Sequence, residues 1–199
     1  MITELTRMWL TRSTKPFLFK KEYDQELPFS DCDGLGLYVH IPFCRSICSF
    51  CPYCKTLYSE EACSRYIDAL IREIHLAGSQ IPGKKIVTSL YFGGGTPALA
   101  ADRIKEIIDA IQEHFIITQG IGIELHPENI TPRTLHILKE AGITKLSIGI
   151  QSFQEKFQKL LGRTGADMDS LKAALSQVPF ETVSMDFIFA LPSQTFGDL

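Results

Sequence analysis

Residues 38–54, YVHIPFCRSICSFCPYC, hold four of the chain's six cysteines in their last eleven positions. Cys44, Cys48 and Cys51 follow the spacing C-x3-C-x2-C, short enough for one loop to turn three thiolates toward a common centre. Thiolates are the usual ligands of iron–sulfur clusters, and a cluster held by only three of them keeps one iron open, as catalytic metal sites keep a position free. On spacing alone two other readings stay open: a structural zinc ion, or an electron-transfer cluster that takes Cys54 as a fourth thiolate. Zinc ribbons bring together two separated cysteine pairs, whereas this is a single group. The same crowding speaks against a framework of long-range disulfides and for a reducing compartment.

Outward from this loop the chain alternates short β-branched runs with amphipathic helices, the pattern of repeated βα units around a parallel sheet. The first strand, Gly36 to Ile41, puts the cysteine loop at its C-terminal end, where βα barrels carry their chemistry. A helix from about Glu60 to Ala77 follows, with Ser59 as N-cap, Gly78 as stop, and an apolar stripe of Tyr66, Ile67, Leu70, Ile71 and Ile74. The second strand, Val87 to Phe92, runs into Gly93-Gly94-Gly95-Thr96-Pro97. The next helix shows Ile104, Ile107, Ile108, Ile111 and Phe115 on one face. Ile121 to Leu125 is the third strand, and Thr131, Pro132 and Gly142 bracket another helix. Lys145 to Ile150 is the fourth strand; Ser152 and Glu155 form a capping box for a helix that stops at Gly162. A short helix covers Asp169 to Gln177, and Thr182 to Phe189 is the fifth strand. Residues 194–199 read as the opening of a further helix.

At 199 residues, with 45% hydrophobic and 22% charged side chains, the chain is long enough to bury one core. A formal net charge of −3 gives no electrostatic footprint for nucleic acid or an anionic membrane. No run approaches the ~18 apolar residues of a membrane span, and the first residues lack the apolar core of a signal peptide. The expectation is a cytoplasmic protein. Residues 1–34, with Trp9, Phe17, Phe19 and Phe29 scattered among charges, form an N-terminal arm without a clean period; residues 35–199 form the barrel.

The wording YVHIPFC-x3-C-x-F-C resembles the radical S-adenosylmethionine (SAM) superfamily, and within it the oxygen-independent coproporphyrinogen III oxidase family, which includes haem chaperones. The resemblance runs from Leu35 to Leu199. It implies a partial (β/α)6 barrel that this chain would follow through its fifth strand, as if truncated there. It further implies a [4Fe-4S] cluster on Cys44, Cys48 and Cys51, with SAM on the open iron and hydrogen abstraction from a porphyrinogen or other tetrapyrrole after reduction by a donor protein. In a chaperone, haem would be bound instead.

Site residues carry over by position. Gly93, Gly94, Gly95 and Thr96 match the segment that lies against the methionine part of SAM; as residues alone they read as a tight βα turn. Glu124 matches an acidic SAM contact. In LSIGIQSFQEKFQKLLGRTG, Gln151 and Arg163 match positions that bind the ribose and carboxylate regions, chemistry that an amide and a guanidinium suit. Asp186, read as a buried carboxylate of the fifth strand, matches a contact to the adenosine or methionine moiety, and Tyr38 and Phe50 match residues that pack around the cofactor. Cys54 departs from the pattern: the oxidase branch carries its extra cysteine in C-x-C, whereas here the spelling is C-P-Y-C. His126 reads as a structural loop residue, and His75, Glu113, His114 and His136 as ordinary helix residues.

Overall fold

The computed structural model describes residues 32–163 and 167–198, and the expected N-terminal arm falls, up to residue 31, outside them. β1 (Gly34–Ile41) alternates its side chains, burying Val39 and Ile41 at its end. Two-residue strands β2 (Phe43–Cys44) and β3 (Thr56–Leu57) then pair in parallel and close the base of the cysteine loop, a ribbon too short for periodicity to reveal. Thr56 N donates to Pro42 O and Tyr58 N to Cys44 O, each at 2.8 Å. Phe43 plugs this base edge-on against Tyr66, with ring centroids 5.5 Å apart.

α1 (Glu60–Ser79) begins where Ser59 Oγ accepts from Ala62 N at 3.2 Å, with Glu60 and Glu61 at the positive helix end. Gly78 does not stop it. That residue is buried in the last turn and makes room for the His114 ring, which a Cβ would meet at 2.2 Å. β4 (Lys85–Gly94) follows, then a 3-10 turn at Pro97–Ala100 and α2 (Ala101–His114). Ile104, Ile107 and Ile111 of α2 are sealed in the core, each worth about 1.5–3 kcal/mol of burial. Phe115, expected on that helix face, instead opens β5 (Phe115–Ile117), because the first residues of β4 offer an edge for its backbone to pair with.

β6 (Ile121–Leu125) pairs with the later part of β4, so β5 and β6 share one position in the sheet. α3 (Pro132–Glu140) is capped by Thr131, whose Oγ1 accepts from Thr134 N at 3.1 Å, and Gly142 follows its end with φ 99°. β7 (Ile143–Gln151) leads to α4 (Glu155–Leu160). The Ser152–Glu155 capping box does not form: Gln154 precedes the helix, and buried Ser152 accepts from Gln154 N at 3.1 Å while its carbonyl takes Gln158 Nε2 at 2.7 Å. α5 (Met168–Gln177) and β8 (Thr182–Phe187) complete the pattern, and the expected opening of a further helix is a 3-10 turn at Phe196–Asp198.

The strands lie in the order β1-β4-β6-β7-β8, all parallel, with β5 on β4. Strands that follow one another through helices are neighbours in the sheet, as in a βα barrel. This α/β architecture is a partial barrel with β1 and β8 at its two edges. β8 ends at Phe187 rather than Phe189, and all six of its residues are exposed.

Candidate functional site

The strand ends and the cysteine loop enclose a cavity of about 380 Å³ at the C-terminal edge of the sheet. Cys44, Cys48, Phe50 and Cys51 stand on one wall, and Gly94, Gly95, Thr96, Glu124, Gln151, Arg163 and Asp186 are among the residues lining the rest. Two expected contact residues stand behind this lining rather than in it: Tyr38, 57% exposed on β1, and Gly93. Cys54 is also outside it, exposed, with its carbonyl accepting from His40 Nε2 at 3.0 Å.

The glycine turn is stitched to the start of the cysteine loop. Gly95 N donates to Ile41 O at 2.9 Å and Thr96 N to Phe43 O at 2.7 Å. A Cβ on Gly95 would come within 2.6 Å of the Phe43 carbonyl oxygen, so only glycine lets the two backbones approach this closely. Gly94 has φ 119°, and its N–H points to Glu124 Oε2 at 3.1 Å. On the other side of the turn Thr96 Oγ1 lies 3.9 Å from Cys44 Sγ, and Lys55 Nζ donates to the Cys51 carbonyl. Burial pushes the Cys44 thiol up, with Thr96 opposing and the Cys48 and Cys51 thiols adding to it.

The cavity floor is a polar cluster aligned by strand register. Glu124 faces Ser147, and Gly149 faces Asp186, across adjacent strands. Ser147 Oγ donates to Asp186 Oδ2 at 2.8 Å. Asp186 is therefore exposed, not buried, but it does have a partner. Tyr91, which carries no motif in the sequence, sits beside Glu124 and Ser147; burial pushes its phenol up to about 12, with Ser147 opposing and the Glu124 and Asp186 carboxylates adding to it. Its ring lies over Gly122, where a Cβ would meet it at 2.6 Å, and stacks on Tyr38 with centroids 6.4 Å apart. Desolvation raises the Glu124 carboxyl, against the lowering effect of its bonds from Gly94 and Tyr91.

Arg163 reaches the cavity from the end of α4. Gly162, with φ 70°, donates to Lys159 O at 3.1 Å and Arg163 N donates to Gln158 O at 2.8 Å, the two bonds of a Schellman motif. Its Nη1 donates to the Gly149 carbonyl, and its guanidinium sits 5.6 Å from the Phe50 ring centre. Its Nε is buried with no acceptor. Gln151 adopts φ 70°, a left-handed conformation that costs a non-glycine residue about 1–3 kcal/mol and so marks a constrained strand end. His126, the loop residue, borders the same cavity; burial lowers its imidazole pKa, and the Arg163 charge adds to that.

Three soft thiols, bared backbone, a carboxylate pair and a guanidinium thus share one cavity. Residues 38–199 match the radical SAM superfamily. The chain is 36% identical over 171 residues to the anaerobilin synthase of Escherichia coli O157:H7, covering 81% of this chain and 38% of that protein. To the heme chaperone HemW of Bacillus subtilis it is 30% identical over 168 residues, covering 81% and 44% respectively. The solved structure of the Escherichia coli coproporphyrinogen III oxidase HemN, described as a radical SAM enzyme, superposes with a TM-score of 0.75 and 31% identity over 83% of this chain and 39% of that one. The chain therefore spans less than half the length of these relatives.

Proposed function

Because the chain belongs to the radical SAM superfamily, we propose that its cavity is a radical SAM active site acting on a porphyrinogen or related tetrapyrrole, in the manner of an oxygen-independent coproporphyrinogen III oxidase. The observation that carries this reading is the convergence of Cys44, Cys48 and Cys51 with Gly94, Glu124, Gln151, Arg163 and Asp186 on a single cavity. The donor set fits the implied groups. Three thiols suit a [4Fe-4S] cluster with one open iron. The unpartnered Arg163 Nε and the glycine-bared backbone suit a ligand with carboxylate and amino groups, as SAM has.

When bound, the cluster and SAM supply the electron and the radical chemistry for hydrogen abstraction. The protein's own residues hold, orient and screen. Cys44, Cys48 and Cys51 anchor the cluster; Gly94, Gly95 and Thr96 set the methionine end of SAM, with Gly93 behind them; Gln151 and Arg163 take its hydroxyl and carboxylate groups. Glu124 and Asp186 offer acceptors to amino or ribose groups, while Phe50 forms an apolar side that limits water and Tyr38 backs the lining through its stacking on Tyr91. The electron comes from a reducing donor protein, and the proposed setting is the cytoplasm. No helix among the described residues is long and apolar enough to cross a membrane.

The test is anaerobic reconstitution with iron and sulfide, followed by reduction with and without SAM. A cluster whose EPR signal changes with SAM, with 5′-deoxyadenosine released, supports the reading; a cluster that ignores SAM overturns it. Coproporphyrinogen III decarboxylation, read by mass spectrometry, then tests the substrate. The similarity to a heme chaperone favours a second reading, in which haem binds without turnover. A haem titration with no decarboxylation would select it.

A further inference from the structure

On the outer face of the barrel, away from the cavity, α1 and the end of α2 bring two imidazoles and a carboxylate together. His75 Nδ1 lies 3.0 Å from His114 Nε2 and 3.7 Å from Glu113 Oε2, and the three ligand atoms all fall within 4.8 Å of one another. We propose that His75, Glu113 and His114 form a surface site for a divalent transition metal of the zinc class, separate from the cysteine site and independent of how that site is read.

The geometry has the right scale. Tetrahedral ligands held about 2.0–2.2 Å from a zinc ion stand roughly 3.3 Å apart, and the two measured edges straddle that value. Two histidines and one carboxylate are a familiar zinc donor set, leaving a fourth position for water. The rings are held in place: they meet edge to face at 73°, and the His114 ring rests against Gly78, whose missing side chain allows the approach. Glu113 and His114 are the last two residues of α2, where the negative end of the helix dipole favours a cation. Lys84, which donates to Gln112 O at 2.7 Å, already exploits that end and would oppose the metal at longer range. One ring now donates its N–H to the other. Ligation requires only that this ring carry its proton on the opposite nitrogen. A metal there would tie α1 to α2.

Zinc analysis of the full 199-residue chain tests this, after equilibrium dialysis against zinc chloride, with the cysteines controlled by comparison. The Cys44→Ser/Cys48→Ser/Cys51→Ser/Cys54→Ser chain should keep about one zinc, and adding His75→Ala should lower the affinity by more than the ~10–100-fold seen for outer-shell changes. His114→Ala can disturb packing on Gly78, so Glu113→Gln, at an exposed position, is the second variant and should also weaken binding. If the chain with these four serines takes up no zinc, or takes it up equally with and without His75 and Glu113, the proposal is wrong.

Discussion

Replacing Gly95 by alanine tests whether the glycine turn exists for close backbone approach or only for flexibility. The added Cβ would lie 2.6 Å from Phe43 O, 2.7 Å from Pro42 C and 2.8 Å from Phe43 C, so every nearest neighbour is main chain that cannot rotate aside. Restoring ordinary contact requires the turn to retreat by about 0.8 Å. That retreat stretches both bonds that span the gap, Gly95 N to Ile41 O and Thr96 N to Phe43 O. Overpacking costs about 1–3 kcal/mol and each weakened hydrogen bond up to ~1.5 kcal/mol, so Gly95→Ala should lose about 2–4 kcal/mol. Urea unfolding, compared at constant m-value, measures it. Gly36 is the control, since a Cβ there meets nothing within 4 Å and its backbone is not left-handed. Gly36→Ala should be neutral or stabilising by up to ~1 kcal/mol. If Gly95→Ala falls within about 0.5 kcal/mol of the parent, the turn is not a steric fit and the reasoning fails.

Other perturbations read other parts of the site. Cys54→Ser should leave the reconstituted iron content unchanged while Cys51→Ser abolishes it, because Cys54 lies outside the cavity; equal loss in both would make Cys54 a ligand. Glu124 has a raised folded pKa, so the folded state holds its proton longer than the unfolded chain, and stability falls as pH rises from the unfolded value of 4.5 through the folded one. Thermal melts of Glu124→Gln should lack that decline, and identical pH profiles would refute the assignment. Asp198 is lowered to about 2, first by its bond from Lys156 at 2.6 Å and then by Thr195. Its contribution is present above 3.8 and fades as pH falls toward 2, and Lys156→Ala should move its carboxyl signal in an NMR titration back toward 3.8.

The cysteine loop and glycine turn were legible because their chemistry is carried by residue type and spacing within a few positions. The order of strands was legible because each apolar run is separated from the next by a helix-period segment. What the sequence hid depends on distance across the sheet. Tyr91 looks like any strand aromatic until register sets it over Gly122 and beside Glu124 and Ser147. β5 escaped notice because no Gly or Pro separates Phe115 from the helix before it, so the helical period runs on through the strand. Gly78 has the look of a helix stop, but its role is set by His114, thirty-six positions away. The apolar neighbours of Asp186 make it read as buried, yet they belong to an edge strand exposed along its length.

α4 is only six residues long, and a helix that short does not hold itself together in water. The guanidinium of Arg163 is aimed by the Schellman bonds at its end. Winding that turn of helix and presenting the cation to the cavity are therefore one equilibrium. A ligand that engages Arg163 therefore spends part of its binding energy on holding α4 wound. Amide hydrogens of residues 157–163 should then exchange more slowly when the cavity is filled, making the outside of the barrel a reporter for what sits within.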